Sequence, residues 1–82
     1  MKLYTLDNVF IKETNKHPNN FTGIVEHYDG TKEWYFEGKL HRIDGPAIER
    51  FYGTKHWYIN GKEVIEEEHD LLYSIMKLKG LM

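Results

Sequence analysis

The sequence contains no cysteine and only two prolines in its 82 residues. Without cysteine there is no disulfide framework, no thiolate zinc site and no cysteine nucleophile. No apolar run approaches the ~18 residues that mark a membrane span, and the opening MKLYTLDNVF is too short and too polar for a secretory signal. The expectation is a cytoplasmic protein with no membrane partner. Charge of one sign is lacking too, because 11 Lys and Arg stand against 13 Asp and Glu for a net charge of −2. A nucleic-acid binder needs a basic excess, so no direct nucleic-acid contact is expected. The acidic surplus is also too mild for a polyanion mimic.

Apolar residues are well represented. Leu, Ile, Val and Phe make up 21 of the 82 residues and aromatic residues 15%, which places the chain among sequences that fold. The length fits one small domain, and a domain of this size buries only about 60% of its unfolded surface. Such a chain needs tight turns, large aromatic side chains or a partner to stabilise it.

The dominant pattern is an internal repeat. Gly30-Thr31-Lys32-Glu33-Trp34-Tyr35-Phe36-Glu37-Gly38-Lys39 returns 23 residues later as Gly53-Thr54-Lys55-His56-Trp57-Tyr58-Ile59-Asn60-Gly61-Lys62, with seven of ten positions identical. Glu26 and Glu49 match at the same offset. Each unit reads as short strands joined by tight turns, over Ile24–Tyr28, Glu33–Phe36, Ala47–Tyr52 and Lys55–Ile59. Asp29-Gly30, Glu37-Gly38, Asp44-Gly45-Pro46 and Asn60-Gly61 are the turns, Asn-Gly being the strongest hairpin signal of the four. Upstream, Lys2–Leu6 and Val9–Lys12 read as two more strands, followed by a turn-rich loop at 15–20. Downstream, 65–78 reads as an amphipathic helix. Its first turns are acidic (Glu66, Glu67, Glu68, Asp70), and its end carries Lys77, Lys79 and a terminating Gly80. Leu71, Leu72, Ile75, Met76 and Leu78 form its apolar stripe. The fold class is therefore α+β: an antiparallel meander of five or six short strands, two hairpin repeats over 21–64, backed by a helix over 65–79.

Strand alternation puts Trp34 and Phe36 on one face with Trp57 and Ile59, and Tyr35 and Tyr58 on the other. Both faces are aromatic, and one helix can cover only one of them. Tyr, Trp and Arg dominate binding hot spots, so Tyr35, Tyr58, Arg42 and His56 are the candidate partner contacts. A two-residue turn at Glu37-Gly38 sets Trp34 opposite His41, which predicts a His41–indole contact. Asp44 holds its own turn, and Arg42 has no evident internal duty. The five histidines fall in no HxH or HExxH spacing, so structural or surface roles are preferred to a metal site. Nucleophile motifs, phosphate loops and paired catalytic carboxylates are missing, so no enzyme activity and no cofactor is expected.

The run Trp34-Tyr35-Phe36-Glu37-Gly38-Lys39-Leu40-His41-Arg42-Ile43-Asp44-Gly45-Pro46-Ala47 resembles the WYxNGKxHRxDGPA repeats of the variant MORN type, common in bacteriophage and some bacterial proteins. Phe21–Lys32 supports the resemblance, which spans about residues 21–62; the HRxDGPA element occurs once. The resemblance implies β-hairpin arrays that bind proteins and sometimes lipids, with no catalytic residues to carry over. It further implies a phage-type inhibitor of a host defence protein, such as an anti-CRISPR factor, acting in the host cytoplasm. The alternatives are a small-ligand sponge whose oligomer builds a pocket from aromatic rows, and a structural assembly subunit. A homodimer is compatible with each.

Overall fold

In the computed structural model, residues 1–80 are described. Eight strands and one helix follow in chain order: β1 (Lys2–Tyr4), β2 (Phe10–Glu13), β3 (Gly23–Glu26), β4 (Lys32–Phe36), β5 (Lys39–Leu40), β6 (Ile48–Glu49), β7 (Lys55–Ile59), β8 (Lys62–Val64) and α1 (Glu66–Leu78). The sheet is antiparallel, in the order β2-β1-β3-β4-β6-β7-β8, with β5 paired to β4 beside β6. The fold is α+β, as the sequence predicts, but with eight strands where five or six were expected. The two extra strands are the short return arms β5 and β8, each created by a hairpin turn. The N-terminal segment joins the sheet through β1 and β2, since β1 pairs with both β2 and β3, and 14–20 is loop.

The duplication is structural as well as sequential. His27 N–H donates to Thr31 O at 2.8 Å and Gly30 N–H to His27 O at 2.9 Å; 23 residues on, Arg50 N–H donates to Thr54 O at 2.9 Å and Gly53 N–H to Arg50 O at 3.0 Å. These turns begin at His27 and Arg50. The preceding strands therefore stop at Glu26 and Glu49, short of the expected Tyr28 and Tyr52. The hairpin turns match too: φ is 50° at Glu37 and at Asn60, with 83° and 82° at the glycines that follow. Both central residues are left-handed, the conformation a two-residue hairpin requires.

The interior is small. Leu3, Val25 and Phe21 form the core cluster, with Met1 and Tyr35 packed against it. Register explains the grouping, because Leu3 sits opposite Val25, and Tyr35 opposite Gly23 on the same side of the sheet. Ile24, Ala47 and Ile48 are the other buried apolar residues. The surface area is 5628 Å², against roughly 5,200 Å² for an average monomer of this mass. The radius of gyration is 13.0 Å, against about 11.7 Å for a compact domain of this length. The molecule is thus a slab, 37 × 26 × 19 Å, with much of its apolar surface uncovered.

The helix only partly backs the sheet. It packs on β7, and His69 is its one buried residue. Leu71 is 62% and Leu78 88% exposed. No side chain caps its N-terminus at Ile65, while Lys79 N–H and Gly80 N–H close its C-terminus on Ile75 O and Lys77 O. The expected Gly80 stop is present, with φ of 67°.

Candidate functional site

The HRxDGPA element is built around one contact. The Arg42 guanidinium lies flat over Trp34, its Cζ 3.9 Å from the ring centroid. Stacking on an indole suits a planar, weakly hydrated cation. Three acceptors fix the rest of the group: Asp44 Oδ1 takes Nε–H at 3.0 Å, while Pro46 O and Glu49 Oε2 take Nη1 at 3.1 and 3.4 Å. Gly45 leaves room for it, since a Cβ there would sit 2.8 Å from Arg42 Cζ. Arg42 therefore does have an internal duty, contrary to the sequence reading. It clamps the 42–46 loop onto β4 and β6, and its side chain is 22% exposed.

Of the histidines around it, His41 differs from expectation in its contact. His41 does not face the indole. Its ring lies 5.8 Å from Phe36, centroid to centroid, because Arg42 already occupies the indole. His41 Nδ1 accepts Asn60 N–H at 2.9 Å, which ties the first hairpin to the second. Burial, and then the neighbouring His69, hold the His41 pKa below its ordinary 6.5. His69 is 2% exposed and donates Nε2–H to the Arg42 carbonyl. That bond pins α1 to the loop that carries Arg42.

A groove of about 680 Å³ opens on this face of the sheet. Ile24, Trp34 and Ile43 give it apolar walls, and Leu6 and Phe36 are exposed at its margin. Lys32, His41, Arg42 and Asp44 add polar groups. Register accounts for the assembly, since Ile24 faces Trp34 across β3 and β4. The β1–β2 turn, with Asn8 at φ of 69°, brings Leu6 and Asn8 to the groove. An apolar cleft with a few fixed polar groups is the usual form of a recognition site.

The other expected contacts lie on the opposite face. His56 pairs with Ile48 and Tyr58 with Glu63, and alternation sets both on the side of Tyr35, away from Trp34 and Trp57. The Arg42 side chain is thus on the other face from those of Tyr35, His56 and Tyr58, although Arg42 N–H donates to Tyr58 O at 3.2 Å along the backbone and Tyr35 also lines the groove. Tyr35 packs on the core and lies 4.7 Å from the His17 ring. Its hydroxyl donates to Glu33 Oε1 at 3.1 Å, and the same oxygen meets His27 Nε2 at 2.9 Å. Burial, reinforced by the Glu33 charge, pushes the Tyr35 pKa up to about 12. His56 Nδ1 meets Glu63 Oε2 at 3.0 Å, and Tyr58 is half-buried.

Sequence reasoning missed His69 and missed the internal contacts of Arg42. The signal for His69 was its helical phase, one and two turns before Tyr73 and Met76. The signal for Arg42 was the Arg-x-Asp-Gly-Pro spacing itself. Among the described residues, no group of three or more His, Asp or Glu converges as a metal site would require, and no helix is long and apolar enough to cross a membrane. Comparison of the chain with protein-family models, curated proteins and solved structures finds no match.

Proposed function

We propose that this protein is a non-catalytic binding module that engages another protein through the Trp34–Arg42 groove. The observation that carries the reading is the largely apolar groove with Leu6 and Phe36 exposed at its margin. Clamped Arg and Trp side chains are the residue types of a binding hot spot, because they bury area with little loss of rotamer freedom. Tyr35, Tyr58 and His56 offer a second contact face, and Arg42 shapes the groove wall. The specific form of the proposal is an inhibitor of a host defence protein, which rests on the resemblance to phage-associated repeats. It acts in the cytoplasm and needs neither metal nor cofactor.

The test is parallel affinity capture with the native chain and with Phe36→Asp. Phe36 is exposed, so this change alters the groove margin without removing a core residue. A protein retained by the native chain and lost with Phe36→Asp, and binding the native chain with a stoichiometric isotherm once purified, supports the reading. Equal capture by both chains overturns it. The groove volume also lies in the range of small-molecule pockets, which favours the ligand-sponge reading second. Equilibrium dialysis against nucleotides and sugars separates the two, because a protein-only binder retains neither.

A further inference from the structure

The helix is apolar on two opposite sides, and the fold uses only one of them. At 100° per residue, His69, Tyr73 and Met76 share the side turned to the sheet, where His69 is buried and the other two are half-buried. Leu71, Ile75 and Leu78 form an i, i+4, i+7 stripe on the opposite side, and all three are exposed. A solvated helix has no need of that stripe, since one apolar face suffices for docking.

Charge indicates the occupant. The first turn carries Glu66, Glu67 and Glu68 and the last carries Lys77, with Lys79 directly after it. On the helical wheel, Glu67 and Glu68 flank the stripe at its N-terminal end. Lys79 flanks it at the C-terminal end, on the same side as Glu68. Two such helices lying antiparallel about a twofold axis bring Glu68 of each alongside Lys79 of the other. Leu71 of each then packs on Leu78 of the other, and the two Ile75 side chains meet at the axis. The parallel arrangement sets acid against acid. We propose that α1 is a homodimerisation helix, pairing antiparallel with α1 of a second copy through Leu71, Ile75 and Leu78. The interface is isologous and therefore closes at two copies. It is separate from the groove, so the fate of one proposal does not decide the other.

The experiment is sedimentation equilibrium over a concentration series, combined with cysteine cross-linking on this cysteine-free chain. The native protein is expected to shift from its 9.8 kDa monomer to twice that mass. Leu71→Glu is expected to stay monomeric with an unchanged circular dichroism spectrum. Lys79→Glu and Glu68→Lys are each expected to weaken the dimer roughly tenfold, from two symmetry-related exposed pairs, and their combination to restore it. Under mild oxidation Ile75→Cys is expected to cross-link to itself and Glu67→Cys to fail. A native chain that is monomeric throughout overturns the proposal. So does a dimer indifferent to Leu71→Glu, or self-linkage at position 67, which marks parallel helices.

Discussion

Replacing His69 tests how the helix is held. Its imidazole is the only buried side chain of α1, and its Nε2–H donates to the carbonyl of Arg42. An isolated helix of 13 residues is marginal in water, so docking decides whether it persists. In His69→Ala the lost bond leaves the Arg42 carbonyl unpartnered, at a cost of about 1–3 kcal/mol. The lost ring contacts add about 1 kcal/mol more by area. A total of about 2–4 kcal/mol exceeds what such a helix can supply by itself. The expected result is selective undocking: amides of Glu66–Leu78 lose protection from hydrogen exchange, while β3 and β4 keep theirs. Gln can place a donor near the Nε2 position, so His69→Gln is expected to retain most protection, and His69→Asn, whose amide falls short, to lose it. Unchanged helix protection in His69→Ala, or equal behaviour of the Gln and Asn variants, refutes the argument.

Three further outcomes follow from the same geometry. Gly45→Ala pushes a Cβ to within 2.8 Å of Arg42 Cζ; the displaced cation–π and ion-pair contacts amount to about 1–2 kcal/mol, read as a lower Tm and an altered Trp fluorescence. Glu37→Asn puts at φ of 50° the residue that the second repeat uses there, and is expected to stabilise the fold by about 0.5 kcal/mol in urea melts, because Asn tolerates the left-handed region. His41 has a depressed pKa in the fold, and the unfolded chain therefore binds the proton first. Stability contributed by neutral His41 is present above its ordinary pKa and is lost as pH falls through the folded value. Midpoints measured from pH 7.5 to 5 are expected to fall less steeply in His41→Gln.

The repeat carried most of the fold into view. Identical turn residues at a fixed offset predict identical turns, and the matched bonds at His27 and Arg50 bear that out. Strand ends were less legible, because Tyr28 and Tyr52 have strand propensity but sit in turns whose bonds start at His27 and Arg50. Face assignments followed from alternation alone, so the separation of Trp34 from Tyr35 was readable. The partner of Trp34 was not. A two-residue hairpin puts His41 opposite the indole along the backbone, yet Arg42 reaches it with a longer side chain that Asp44, Pro46 and Glu49 hold in place. That competition depends on space above Gly45, a tertiary fact. The apolar stripe of α1 was visible as one feature; its division into a docked and an exposed side depends on where the chain leaves β8.

The central claim is that the Trp34–Arg42 groove is where a partner protein sits. The most direct measurement is amide hydrogen exchange of the native chain with and without the protein it captures. Slowed exchange is expected in 32–36 and 41–46, and little change in β7 and β8. Slowing confined to β7, β8 or α1, with the groove segments exchanging as in the free chain, contradicts it.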